Sequence, residues 1–263
     1  MIGIAGASGL IGYNFYRFLN CRGYDTIGTF YSNRKDGLVK FNLTSKDFSL
    51  FNNCSQVIIA AAVSNIDKCF IEKDKVRRIN VESTIELIKY LSRKKIKPVF
   101  LSTDQVFDGE KGNYSTEDKP RPLNCYGNFK LQVEEFMKKN LQNYLILRLS
   151  KTYSRNLNEK SIFSEIYLSL SKNIKIEAAY NQIFNPTDVS MLCEMLIKAL
   201  DLNLSGVYHI AEPKIISRHE FAVSVAQEFG FDKDLIIPAD IRTLSFLKDT
   251  RPLNTSLIVS DLR

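Results

Sequence analysis

The sequence predicts an α/β fold, a doubly wound parallel sheet in the first part of the chain followed by a smaller C-terminal domain. Three observations lead there. Strand-like apolar runs alternate with helix-like ones up to Leu149, the pattern of parallel strands joined by crossover helices. A glycine-rich turn directly follows the first strand and opens the first helix. After Leu149 the pattern is interrupted by Ser, Asn and Lys, which places a boundary between residues 1–149 and residues 150–263.

Taken in order, residues 2–5 read as the first strand. Ile11, Phe15, Phe18 and Leu19 then recur at helical spacing, and Gly23 suits the left-handed conformation that ends a helix. Residues 24–30 form the second strand, with further strands expected at 57–61, 99–101 and 145–149 and helices near 80–92 and 126–139. In the second half, Met191, Leu192, Met195, Leu196 and Ala199 share one helical face, so about 185–203 is expected to pack back on the first domain. Ser217 and Glu220 have the spacing of a capping box that opens a helix running to Phe229. That gives His219 a structural place in a first turn, and His209, inside an apolar run, is read as structural too.

Composition narrows the function classes. The chain has 263 residues, 44% of them hydrophobic, enough for a sizeable core. No basic leader precedes the first strand and no apolar stretch approaches the roughly 20 residues of a membrane span, so a cytoplasmic protein without membrane association is expected. Five cysteines, widely spaced and never in a C-x-x-C pair, indicate neither a disulfide framework nor a metal site. The net charge of +7 could favour nucleic acid, an anionic surface or a phosphorylated small molecule and does not choose among them, and the sequence carries no nucleic-acid module signature.

The cofactor motif is Gly6, Ser8, Gly9, Leu10, Ile11 and Gly12, set between a strand and a helix. Glycines let a backbone turn tightly against a pyrophosphate, and the amides of a helix N-terminus supply donors, so this is a Rossmann-type dinucleotide loop. After the second strand, the acidic residue that would hold an NAD ribose is missing. Ser32, Asn33 and Arg34 stand there instead, and their hydroxyl, amide and guanidinium groups suit a 2′-phosphate, so NADP(H) is the expected cofactor.

Tyr126 and Lys130 lie four residues apart and share a helix face. A nearby ammonium favours phenolate, so Lys130 is expected to lower the Tyr126 pKa from its ordinary value of about 10. Thr103 and Asp104 end a strand about twenty residues earlier, where ligand sites of open α/β sheets lie. Arg251, before Pro252, offers a planar donor fork to a phosphate of the substrate.

Together, residues 6–12, 60–62, 102–109 and 126–130, with Asn80, closely resemble the dTDP-4-dehydrorhamnose reductase family of extended short-chain dehydrogenase/reductases. Residues 181–187, 206–209 and 251–257 extend the resemblance over nearly the whole chain. It implies reduction by NADPH of a 4-keto-6-deoxy sugar carried on a nucleotide diphosphate, in deoxysugar or surface-polysaccharide biosynthesis, and it leaves a homodimer open. Thr103 would hold the carbonyl, Tyr126 would protonate it, and Lys130 would bind the cofactor ribose and tune Tyr126. Asn42 and Leu43 near the adenine, with Ala60, Ala61, Ala62 and Asn80, would complete the cofactor contacts. Asp104, Val106, Phe107 and Gln182 would join Thr103 and Arg251 around the substrate.

The resemblance has departures. Gln105 stands where family members usually carry Tyr, Ser150-Lys151-Thr152-Tyr153-Ser154 replaces an aromatic-rich segment, and Asn42 replaces a frequent Asp. The chain also ends near the point where relatives add a further segment, which implies a pocket that is more open or completed by another subunit. Two other readings stay open. The regulatory subunit of methionine adenosyltransferase looks like the same family, so a non-catalytic NADP-binding subunit is one, against which Thr103, Tyr126 and Lys130 all argue. A sugar-nucleotide epimerase or dehydratase is the other, although the dehydratases usually carry an acidic pair where this chain has Asp104 and neutral Gln105.

Overall fold

A computed structural model describes residues 1–262. Its centre is a seven-stranded sheet built from β1 (Ile2–Ala5), β2 (Thr26–Phe30), β3 (Val39–Lys40), β4 (Gln56–Ile59), β5 (Lys97–Thr103) and β6 (Leu145–Leu149), with β11 (Gly206–Ile210) returning late in the chain. The order is β11-β6-β5-β4-β1-β2-β3 and every pairing is parallel. The helices are α1 (Leu10–Cys21), α2 (Ile66–Ile71), α3 (Lys73–Arg77), α4 (Thr84–Arg93), α5 (Cys125–Asn140), α6 (Ile162–Leu170), α7 (Val189–Asp201) and α8 (Arg218–Phe229). The chain moves outward from β1 to β3, then crosses to β4 on the other side of β1. Carboxyl ends of strands flanking such a reversal are where open α/β sheets bind ligands.

Alternation along the strands divides the core into two layers. Ile2, Ile4, Val99, Leu101, Leu145 and Leu147 face one layer, closed by Phe15 and Leu19 of α1 and Leu192 and Leu196 of α7. Ala5, Phe100 and Ile146 face the other, closed by Leu87 and Leu91 of α4 and Phe129, Val133 and Met137 of α5. Strands covered on both faces read as nearly continuous apolar runs, which is why they were visible in sequence. Each fully buried Leu, Ile or Phe contributes on the order of 1.5–3 kcal/mol.

Several elements differ from the sequence reading. Strand β5 runs to seven residues because Lys97 is satisfied inside it, its ammonium donating to Asn203 O (3.1 Å), Asn203 Oδ1 (2.8 Å) and Leu204 O (2.6 Å). Strand β11 was not anticipated; it pairs residue for residue with β6, and its side chains divide between the two layers. The helix expected near residue 80 begins as a wide π-turn over Arg78–Ser83 before tightening into α4, a geometry frequent at functional sites.

The second half contributes α6, α8 and three short strand pairs: β7 (Thr152–Tyr153) with β10 (Thr187–Asp188), β9 (Ile183–Phe184) with β12 (Ile216–Ser217), and β8 (Ile176–Ala179) with β13 (Ile236–Ala239). Phe163, Phe184, Phe221 and Val225 form its own core. Helix α8 opens on a reciprocal cap, Glu220 N donating to Ser217 Oγ (3.1 Å) and Ser217 N to Glu220 Oε2 (2.7 Å). Among the described residues, no helix is long and apolar enough to cross a membrane.

Candidate active site

A cleft of about 390 Å³ lies over the carboxyl ends of β1, β4, β5 and β6, between the sheet and the second-half helices. Its floor begins at the glycine turn. Gly6 has φ +86°, and a Cβ there would meet the Ala61 backbone at 2.5 Å. A Cβ on Gly12 would meet Gly6 O at 2.5 Å, so the first turn of α1 lies directly on the loop. Gly9 occupies the N-cap of α1 without a side-chain cap, and Leu10, Ile11 and Gly12 line the cleft. Uncapped amides facing an open cleft, on a loop that is sterically closed to a Cβ at Gly6 and Gly12, fit the pyrophosphate of a dinucleotide.

The other expected cofactor residues fall into two groups. Ala60 and Ala62 line the cleft, Ala61 presses on Gly6, and the Ser8 carbonyl accepts from Asn33 Nδ2 at 3.5 Å. That contact brings the turn after β2 beside the glycine loop, where Ser32, Asn33 and Arg34 are all exposed. Asn42, Leu43 and Asn80, like Ser32, Asn33 and Arg34, lie outside the residues that line this cleft. Leu43 is buried against Phe41 and Phe51, and Asn42 spends its carbonyl on Thr44 N (3.0 Å) to cap the short turn Leu43–Ser45. Asn80 is buried and clamps Val63 at two points, accepting from its N–H (2.8 Å) and donating to its carbonyl (2.9 Å). It therefore shapes the loop after β4.

One wall of the cleft is formed by Thr103, Tyr126 and Lys130. Thr103 ends β5 and caps the turn Asp104–Val106, accepting from Gln105 N at 3.3 Å. Tyr126 lies in the first turn of α5, whose Asn124 cap accepts from Gly127 N at 2.8 Å. The side chains of Thr103 and Tyr126 line the cleft together, and the Thr103 hydroxyl donates to Asp104 Oδ1 at 3.0 Å. Lys130, one turn on, is buried, donates to Leu101 O at 2.7 Å and stands 5.9 Å from the centre of the Tyr126 ring.

The expected lowering of the Tyr126 pKa is reversed. Burial pushes the phenol above its ordinary value, with Cys69 and Asp104 adding to the shift and the nearby Thr103 opposing it. Lys130 directs its ammonium at a backbone carbonyl, and burial pushes that ammonium down to about 8 against the pull of Glu134. The phenol thus stays protonated at neutral pH and is a proton donor.

Beneath this wall lies a buried ionic network that sequence reasoning missed. Glu134, on α5, accepts from Arg148 of β6 at 2.7 Å and also from Ser102 Oγ. Arg148 in turn approaches His209 Nε2 at 3.4 Å, while His209 Nδ1 lies 3.1 Å from Tyr114 O. Ser102 therefore ties β5 to α5 one residue from Thr103, and Lys130 sits one turn from Glu134. Burial, then the charge of Arg148, pushes the fully buried His209 down to about 4. Between about pH 6.5 and 4 the unfolded chain binds a proton there that the folded chain does not, so stability falls as pH drops through that window, by about 3 kcal/mol. Thermal unfolding at pH 7 and 5 checks this: His209→Gln should lose less of its midpoint on acidification than the wild type, and an equal loss would refute the assignment.

The substrate end is more mixed than expected. Asp104 and Gln182 line the cleft, but Val106 and Phe107 do not. Both are fully buried, because the turn Asp104–Val106 swings the chain inward and Phe107 stacks on Tyr114 at 4.2 Å. Asp104 is buried, its carboxylate accepting from Thr103 (3.0 Å), Gln105 (3.2 Å) and Thr255 (2.7 Å), and burial raises its pKa. Arg251 lines the cleft, yet its guanidinium already meets Asp67 at 2.9 Å and Asp249 O at 2.8 Å. Lys151, from the segment that replaces the family's aromatic-rich one, and Arg218 line the same region. No short motif marks them; the fold alone brings them there. Among the described residues no cluster of potential metal ligands occurs.

A parallel sheet with a glycine turn at its reversal and a Thr-Tyr-Lys wall over the same cleft defines a Rossmann-type dinucleotide-binding protein. The chain belongs to the RmlD substrate binding domain family, whose match spans residues 1–263. It is similar to a probable low-salt glycan biosynthesis reductase of Haloferax volcanii (25% identical, covering 98% of this chain and 90% of the relative). It is similar also to methionine adenosyltransferase 2 subunit beta of Mus musculus (26%, 98% and 80%). Among solved structures, a hypothetical dTDP-4-dehydrorhamnose reductase from Sulfolobus tokodaii superposes with TM-score 0.88 at 32% identity, covering 97% of this chain and 91% of that one. A dTDP-4-dehydrorhamnose reductase from Bacillus anthracis in complex with NADP has the same fold (TM-score 0.88, 24% identity, 98% and 90% covered).

Proposed function

We propose that this protein is an NADPH-dependent reductase of a 4-keto-6-deoxy sugar carried on a nucleoside diphosphate, acting in glycan biosynthesis. The observation that carries the reading is that Thr103, Tyr126 and Lys130 together line one wall of a cleft whose floor is the uncapped glycine turn. When bound, the nicotinamide supplies hydride to the carbonyl carbon. A carbonyl oxygen entering between the side chains of Thr103 and Tyr126 receives a hydrogen bond from Thr103, whose hydroxyl turns from Asp104 to meet it, and, as negative charge develops, a proton from Tyr126. An alkoxide is a stronger base than a phenolate, so that transfer is favourable even from a phenol with a raised pKa. Lys130, held at Leu101 O, is positioned for the ribose hydroxyls and for the phenolate left after transfer.

The names of the relatives support a reductase of glycan biosynthesis, and the reductase solved with NADP supports the cofactor. The methionine adenosyltransferase subunit favours a second reading, a cofactor-binding regulatory subunit. Incubation with NADPH and a panel of 4-keto sugar nucleotides separates them: a product two hydrogens heavier by mass spectrometry supports the reductase, and tight NADPH binding with no product supports the subunit.

Cofactor choice is tested at Arg34, which is exposed beside the glycine loop and makes no ion pair among the described residues. Arg34→Ala should weaken NADPH by roughly ten- to a hundredfold, the loss of a charged hydrogen bond, and leave NADH unchanged. Equal calorimetric affinities of the wild type for the two cofactors would remove the basis of the NADPH assignment.

A further inference from the structure

The register of the central sheet sets Leu149 of β6 beside Thr103 of β5. Lys151 therefore leaves the sheet two residues beyond the neighbour of Thr103, at the end of the cleft where the sugar would react. Its side chain is exposed to the cleft, and among the described residues it forms no ion pair. Arg218, the first residue of α8, enters from the opposite side. Its backbone N–H donates to Gln182 O (3.0 Å) and its Nε to Gln182 Oε1, a neutral anchor that orients the guanidinium and leaves its charge unpaired.

The acids nearby do not neutralise these cations. The carboxylate of Asp104 is buried and taken up by Thr103, Gln105 and Thr255. Asp67 is taken up by Arg251, and Glu165 is 4.0 Å from Lys160. An ammonium and a guanidinium in one cleft oppose each other until an anion lies between them. We propose that Lys151 and Arg218 form an anion subsite for an oxyanion of the substrate, separate from Arg251, and that the pair sets which nucleotide sugars are accepted. This rests on the sugar-nucleotide reading. The oxyanion is either the diphosphate or a carboxylate on the sugar ring, groups that share the geometry an arginine fork recognises.

Calorimetric titration of the full chain with UDP, dTDP, GDP, UDP-glucose and UDP-glucuronic acid tests it. Lys151→Gln and Arg218→Gln should each weaken binding by about ten- to a hundredfold, with Lys151→Arg close to wild type. NADPH affinity and the thermal midpoint should hold in all three variants, which excludes misfolding. Loss with the nucleoside diphosphates themselves identifies the diphosphate as the group bound; loss confined to UDP-glucuronic acid identifies the sugar carboxylate. Wild-type affinity of both Gln variants for every ligand overturns the subsite, as does failure of the wild type to bind any of the five. Binding is read without turnover, so absence of keto-sugar reduction would sink the reductase reading while leaving a measured subsite standing.

Discussion

Phenylalanine at position 126 should reduce turnover by roughly 10² to 10⁴ while leaving the fold and NADPH affinity nearly intact, because it keeps the ring and removes the proton donor. The half-buried ring lies against the apolar layer behind α5, and Phe preserves that contact. The hydroxyl it removes shares the cleft wall with Thr103, and in the proposed mechanism the two side chains act on one oxygen. Thr103→Val combined with Tyr126→Phe should therefore cost less than the product of the single losses. Single-turnover decay of NADPH absorbance reads the effect; wild-type decay in Tyr126→Phe would show that the hydroxyl has no part in the step.

Glu134→Ala should destabilise the protein by about 3–5 kcal/mol, a large share of the roughly 5–15 kcal/mol of a typical domain. The reason is Arg148, which is fully buried and would keep its charge without a counterion. Ser102 would lose its acceptor at the same time. Replacing both members, as Glu134→Leu with Arg148→Met, removes the stranded charge and should recover most of the loss. Urea unfolding measures each variant. A single variant as stable as the wild type would mean that water reaches Arg148 and the network is not closed.

How far sequence led can be traced residue by residue. The glycine turn and the Thr103, Tyr126 and Lys130 positions were legible because each depends on local order: a strand, a turn or one helical repeat fixes where its side chain can go. Val106 and Phe107 share the sequence neighbourhood of Thr103, but a single 3₁₀ turn rotates them into the core, and no apolar periodicity three residues long announces such a turn. The pKa of Tyr126 is raised chiefly by burial, which a four-residue spacing does not reveal. Spacing put the two on one face, whereas the partner of the ammonium, Leu101 O, comes from a neighbouring strand. Lys151, Arg218 and the Glu134–Arg148–His209 network join residues 60 or more positions apart at their widest, and only the paired strands and packed helices bring them together.

Transfer of deuterium tests the central claim most directly. NADPH carrying deuterium at both C4 positions of the nicotinamide would be incubated with the wild type and a 4-keto-6-deoxy sugar nucleotide, and the product read by mass spectrometry and NMR. Direct hydride transfer predicts one deuterium on the sugar carbon that was the carbonyl, with the hydroxyl proton exchanging with solvent. It also predicts that Tyr126→Phe slows its appearance. A sugar left unreduced across the panel by a protein that binds NADPH tightly, or a reduced sugar carrying no deuterium at that carbon, would contradict it.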